Sequence, residues 1–150
     1  MQTIMENYGD MLYRLCFVML RNQYDAEDAV QETLIKYLSK NPRFANGEHQ
    51  KAWLLRVANN TCKDMLRGFS RHKHSNLDDL QICETEQDRA VLAQVMELPP
   101  KYKAVILLYY IDGYSVREAA EILHISENAV KKQLQRGREL LKLELEGEIQ

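Results

Sequence analysis

The chain has 150 residues, 45% of them hydrophobic and 28% charged, with 20 Lys and Arg against 22 Asp and Glu for a formal charge of -2. That length suits one ordinary domain or two small ones, and the charged fraction beside 8% aromatics excludes a disordered chain or a coiled-coil rod. The longest unbroken apolar run, Ala104 to Ile111, is eight residues, against the roughly 20 that a membrane-spanning helix needs.

Apolar residues recur at spacings of three and four along the chain, and no stretch holds the two-residue alternation of a strand, so the sequence predicts an all-α fold. A first helix is predicted over about Thr3 to Leu20, with Ile4, Tyr8, Met11, Leu12, Leu15 and Met19 on one stripe. Asp25 can cap a second, carrying Glu27 and Asp28 in its first turn and running to about Leu38 ahead of Pro42. Its inner stripe is Ala26, Ala29, Val30, Thr33, Leu34, Tyr37 and Leu38, which leaves Asp28, Gln31, Glu32, Ile35 and Lys36 outward. After an Asn46-Gly47 turn a third helix spans about Gln50 to Arg67, with Gly68 as its stop. Trp53, Leu54, Val57, Ala58 and Thr61 face the first two helices, and Met65 continues the stripe.

The stretch from Gly68 to Thr85 is polar and acidic, and it marks a boundary between two small helical domains joined by a flexible acidic linker. The boundaries are set at 1–74 for the first domain, 75–90 for the linker and 91–150 for the second. A short helix near Glu86 to Glu97 ends at Leu98-Pro99-Pro100, and Pro100 suits the first turn of the next, Lys101 to Ile111, closed by Asp112-Gly113. Ser115 and Glu118 make a capping-box pattern that opens a helix to about His124. Ser126 can cap the last helix, which has Val130, Leu134, Gly137 and Leu141 on one face and Asn128, Lys131, Lys132, Gln135, Arg136, Arg138 and Lys142 on the rest. Two short helices about a tight turn, with small Ala119 and Ala120 where they cross and Ile125 in the turn, describe a helix-turn-helix. Taken alone that motif fits either DNA binding or a generic helical hairpin.

The near-neutral total hides a polarity along the chain. Arg43 to Lys73 holds seven basic residues against two acids, net +5; Ser75 to Leu98 holds six acids against Arg89, net -5; Glu127 to Lys142 is net +3. This alternation fits two polyanion-facing surfaces separated by an acidic connector, or equally a set of solvated helix faces. Cys16, Cys62 and Cys83 include no C-x-x-C pair and read as reduced, buried thiols. Glu6 and Asp10 stand where a secretory leader carries basic residues, which predicts a cytoplasmic protein with no membrane insertion. No nucleophile, base and orienter occur together, and no Gly-rich phosphate loop or zinc motif is present, so the expectation is a binding protein rather than an enzyme, with no cofactor and no metal. His72 and His74 near Cys62 or Cys83 have irregular spacing and basic neighbours, and read as part of a basic loop.

The segments DAEDAVQETLIKYL (Asp25 to Leu38) and KAWLLRVANNTCKDMLR (Lys51 to Arg67) resemble region 2 of bacterial RNA polymerase sigma factors. LPPKYKAVILLYYIDGYSVREAAEILHISENAVKKQLQRGRELL (Leu98 to Leu141) resembles their region 4. The direct join of the two is similar to the extracytoplasmic-function (ECF) group of the sigma-70 type, and the resemblance covers about Tyr8 to Lys142. It implies a factor that binds the RNA polymerase core, through clamp and flap, and directs transcription initiation at specific promoters. By resemblance, Asp28, Gln31, Glu32, Ile35 and Lys36 form the clamp-docking face. Arg56, Asn60, Lys63 and Arg67, followed by Arg71 and Lys73, match the part that reads the downstream (minus-ten) element as single strand, with Asn60 at the edge of a base pocket. Trp53 lies in the same segment but on the apolar stripe, as a core residue. Asn128, Lys131, Lys132, Gln135 and Arg136 match the groove and phosphate positions that read the upstream (minus-thirty-five) element as duplex. Ala129, Lys132 and Gln133 depart from the family's usual residues, so its base preference does not carry over. The ECF group also implies a possible anti-sigma partner. Two rivals predict differently: an autonomous dimeric helix-turn-helix regulator needs a palindromic site and no polymerase, and a sigma-like sequestering protein needs neither basic stretch.

Overall fold

The computed structural model describes residues 2–68 and 86–149, with side chains over 3–68 and 89–141, and among them every regular element is helical. The chain divides into two compact units, Met1–Ile82 and Cys83–Gln150. Residues 75–85 of the expected linker lie outside the described residues, and residues 86–90 form the first half of a helix.

The first unit is built from α1 (Gln2–Leu20), α2 (Gln23–Lys40) and α3 (Gly47–Arg67), each packed on the other two. Ile4, Leu12, Leu15 and Met19 of α1 are buried as its stripe predicts, while Tyr8 and Met11 are half-buried. Towards its end α1 is enclosed all round, because the run Cys16-Phe17-Val18-Met19-Leu20 is apolar on every side and both neighbours close over it. Cys16 and Cys62 meet in this core, both fully buried. A hydrogen bond with Cys62, and then burial, push the Cys16 thiol well above its ordinary range. Such a thiol stays protonated and unreactive.

The caps differ from expectation in an instructive way. Arg21 takes the left-handed conformation (φ 58°) and its N–H donates to the Phe17 carbonyl (2.7 Å), which turns the chain hard after α1. Asn22 thus lands before the new helix, and its Oδ1 accepts from the Asp25 N–H (2.9 Å). The cap of α2 is therefore Asn22, and Asp25 sits in the first turn. Asn46 likewise caps α3, accepting from the His49 N–H (3.0 Å), so that helix starts three residues earlier than the Gln50 expected. At the end of α2, Asn41 is left-handed (φ 43°), and Tyr37, Phe44 and Trp53 pack together with ring centroids 6.0 to 6.3 Å apart. Tyr37 takes the inward place there, and Leu38, expected on the inner stripe, is 52% exposed. The buried stripe of α3 is Leu54, Leu55, Ala58, Asn59, Thr61 and Cys62, turned from the predicted one so that Trp53 and Val57 are half-buried.

In the second unit α4 (Glu86–Val95) precedes α5 (Pro100–Ile106), which widens into a π-turn segment, Leu107–Ile111. Pro100 occupies the first turn of α5, as its missing N–H allows. Gly113, at φ 80°, then supplies a backbone conformation that residues with a Cβ seldom adopt. Helix α6 (Val116–Leu123) opens with the predicted capping box: the Glu118 N–H donates to Ser115 Oγ (3.1 Å) and the Ser115 N–H to Glu118 Oε1 (3.0 Å). His124 (φ 60°) makes the turn, and Ser126 Oγ caps α7 (Glu127–Ile149), accepting from the Ala129 N–H (3.0 Å). Val91, Leu92, Val95, Val105, Ile106, Leu107, Leu108, Ala119, Ile122, Val130 and Leu134 form the core of this unit.

Leu12, fully buried, and Ile35, 60% exposed, set opposite expectations for truncation. Leu12→Ala should cost about 3 kcal/mol, and Ile35→Ala should stay within about 0.5 kcal/mol. Urea unfolding followed by fluorescence of Trp53, the single tryptophan and a first-unit residue, checks both.

Candidate nucleic-acid interface and docking face

On α2, Asp28, Gln31, Glu32 and Ile35 are exposed along one side. They follow from the helical period: burying Ala26, Ala29, Val30, Thr33 and Leu34 on the core side leaves that set facing out. Lys36 differs from expectation. It is half-buried, and its Nζ donates to Thr61 Oγ1 of α3 (3.0 Å), because its stem lies between the two helices. Leu38 extends the exposed apolar surface that begins at Ile35, and its spacing of three from Ile35 is the signal that places it there. Beside this face Met5, Gly9, Asp10, Tyr13, Glu27, Val30, Gln31 and Leu34 line a groove of about 330 Å³ between α1 and α2.

On α3, Asn60, Lys63 and Arg67 are exposed and Arg56 is half-buried. Their spacings of four, three and four keep all of them within a narrow arc of the helix. Arg67 Nη2 lies 2.7 Å from Asp64 Oδ1, with both side chains more than half exposed. A surface pair of this kind contributes about 0 to 1 kcal/mol, so an incoming anion can displace the carboxylate. Arg71 and Lys73 lie outside the described residues. Asn59, next to Asn60, is buried, and its Oδ1 has no hydrogen-bond partner among the described residues.

On α7, Asn128, Lys131, Lys132, Gln135 and Arg136 are all exposed, at the i, i+3, i+4, i+7 and i+8 positions of one face. The opposite face is held down by Val130, Leu134 and Gly137. Arg136 Nη1 pairs with Glu139 Oε2 (3.1 Å), again in the open. Arg138, read from the sequence as part of the free surface, is half-buried and donates to the Tyr110 hydroxyl (2.7 Å). Among the described residues no cluster of three His, Cys, Asp or Glu is placed to hold a metal ion, and His72 and His74 fall outside them. No helix among those residues is long and apolar enough to cross a membrane.

Two family models match: "Sigma-70 region 2" over residues 4–72 and "Sigma-70, region 4" over residues 88–141. The chain is 31% identical to "ECF RNA polymerase sigma factor SigW" of Bacillus subtilis, with 95% of this chain and 87% of that protein covered. It is 28% identical to "ECF RNA polymerase sigma factor SigX" of the same organism, over 97% of this chain and 83% of the relative. The fold is shared with the sigma factor RpoE of Bartonella quintana, solved with the anti-sigma factor NepR, at a TM-score of 0.71 and 22% identity over 93% of this chain and 92% of that one. It is shared also with CnrH, solved with the cytosolic domain of CnrY, at a TM-score of 0.70 and 24% identity over 97% and 87% of the two chains.

The two adjacent asparagines separate structure from surface. Asn59→Leu, which removes an unsatisfied buried oxygen while keeping the volume, should stabilise the first unit by about 1 kcal/mol. Asn60→Ala, on the exposed side, should change stability by less than about 0.5 kcal/mol. Urea midpoints read by Trp53 fluorescence distinguish them; loss of stability in Asn59→Leu would show that its amide is needed in the core.

Proposed function

This chain belongs to the sigma-70 family, in its ECF group, and we propose that its three outward faces divide the work of promoter-specific initiation among them. The protein binds RNA polymerase core and directs transcription from specific promoters. In the finer reading, residues 1–74 dock on the polymerase clamp and read the downstream element, residues 91–150 read the upstream element beside the flap, and residues 75–90 join them. The observation that carries this reading is the α7 face, five amide or basic side chains exposed at helical spacing behind a capped turn. Lys131, Lys132 and Arg136 meet phosphate, and Asn128 and Gln135 offer the donor-acceptor pairs that base edges require.

Single-strand capture is assigned to α3. Asn60 offers an amide to an extruded base edge, while Arg56, Lys63 and Arg67, with Arg71 and Lys73 beyond them, follow the backbone. Docking is assigned to Asp28, Gln31, Glu32 and Ile35, where carboxylates around an apolar residue suit a basic, partly apolar partner surface. Lys36 supports this face through Thr61 rather than from its outer edge.

No bond in the DNA is made or broken in this mechanism. Opening about ten base pairs at about 1.4 kcal/mol per step costs on the order of 14 kcal/mol. Specific protein–DNA complexes gain about 4 to 10 kcal/mol over non-specific ones, so the chain alone falls short and the polymerase supplies the remainder. Binding to RNA polymerase core and promoter DNA supports a cytoplasmic location. The anti-sigma factor NepR, solved with the RpoE neighbour, supports a partner of that class here, one that covers the docking and DNA faces. The homodimeric-regulator reading is not favoured, because it leaves the region 2 match without a role.

The faces are separable by mutation. The double variant Asp28→Lys, Glu32→Lys keeps two helix-compatible residues on the outside of α2 and should abolish binding to core polymerase, read by co-purification. Lys131→Ala with Lys132→Ala should weaken binding to upstream-element duplex and lower the salt slope by about two, whereas Asn60→Ala should reduce open-complex formation, read by permanganate footprinting, and spare duplex binding. If Asn60→Ala impaired only the closed complex, the assignment of α3 would fail.

A further inference from the structure

Arg138 and Tyr110 lie outside the DNA-facing set, yet they form a short polar contact between α7 and the element it packs on. Arg138 Nη1 donates to the Tyr110 hydroxyl at 2.7 Å, across 28 residues of sequence and in a part-buried setting. Tyr110 sits in the π-turn segment, where the Asp112 N–H reaches back five residues to the Leu107 carbonyl (2.9 Å). The wider turn carries an extra residue, and it sets the Tyr110 ring edge-on to that of Tyr109, with centroids 4.9 Å apart and planes at 89°. One residue earlier on α7, Gly137 lies so close to α5 that a Cβ there would stand 2.9 Å from Ile106 Cγ1. The close approach and the buried strip of Val130 and Leu134 seat α7, but apolar contacts are not directional and leave it a small freedom to roll. A directional bond beside it removes that freedom.

We propose that Tyr110 and Arg138 are positioning residues that fix the roll of α7, and with it the base preference of the upstream reader. The proposal rests on the reading of α7 as that reader. Side chains reach about 5 to 6 Å from a helix axis, so a roll of about 10° moves their ends by about 1 Å. Hydrogen bonds to base edges lose their geometry over that distance, whereas phosphate contacts from flexible lysines tolerate it. Loosening the roll therefore lowers discrimination between sequences more than it lowers general affinity.

The test uses the full chain assembled with core polymerase. The probes are a duplex enriched by the wild type from a library randomised in the upstream element, and the same duplex with that element scrambled. Tyr110→Phe removes one hydroxyl and keeps the ring. It should lower the ratio of affinities for the two duplexes about five-fold, with the salt slope and core affinity unchanged. Arg138→Gln should give at least that loss, and the double variant no more than Arg138→Gln alone, since the bond to Tyr110 is shared. Wild-type discrimination in Tyr110→Phe, or additive losses in the double variant, would overturn the proposal. So would a salt slope lower by about one in Arg138→Gln alone, the mark of a direct phosphate contact. Failure of the wild type to enrich any duplex would instead overturn the reading of α7 on which the proposal stands.

Discussion

The second unit depends on the close approach of α7 to α5 at Gly137. With hydrogen in place of a methyl group, α7 can lie against Ile106 at a distance that any Cβ would obstruct. That contact lets a single apolar strip, Val130, Leu134 and Gly137, anchor a long helix, and everything on its other side is left for solvent or for a ligand. The capped turn before it settles where the helix begins: His124 in the left-handed region and the Ser126 hydroxyl on the Ala129 N–H define its first residue. A helix held by its start and by one close contact presents its polar face at a defined place without spending that face on packing.

The first unit reaches the same end by enclosure. Its three helices surround the all-apolar end of α1, so that α2 and α3 each keep one side in the core and one side out. The exposed set Asp28, Gln31, Glu32 and Ile35 and the exposed set Asn60, Lys63 and Arg67 therefore sit on two different helices, and Lys36, bonded to Thr61, ties those helices together between them. Mechanical disturbance at one set has a short physical route to the other through that bond and the shared core.

Much of this was legible in the sequence. The helices, the capping box at Ser115 and Glu118, the cap at Ser126 and most of the outward positions on α2 and α7 follow from period and cap chemistry, because those signals act over four or five residues. The departures arise where several residues could serve and distant packing chooses. Asn22 and Asp25 are both good caps, and the left-handed Arg21 decides between them. Tyr37 and Leu38 both suit the inner side of α2, and Phe44 and Trp53 select the aromatic ring. Lys36 and Arg138 read as surface charges because no local pattern announces a partner 25 or 28 residues away. The likeness to a known family supplied what the residues alone left open, that the chain works with RNA polymerase and promoter DNA.

The exposed arginine pairs have a thermodynamic consequence. Arg67 with Asp64 and Arg136 with Glu139 each carry their own counter-charge on the same helix, one turn away. In the DNA complex proposed above, when such an arginine turns to a phosphate the DNA gives up a condensed cation, but the abandoned carboxylate draws part of that cation back from solution. The net release of ions is then smaller than the number of basic residues engaged, and the entropy gained from dilute salt is smaller with it. On that proposal, binding through these two arginines is buffered against the ionic strength of its surroundings, at the expense of some affinity when salt is low.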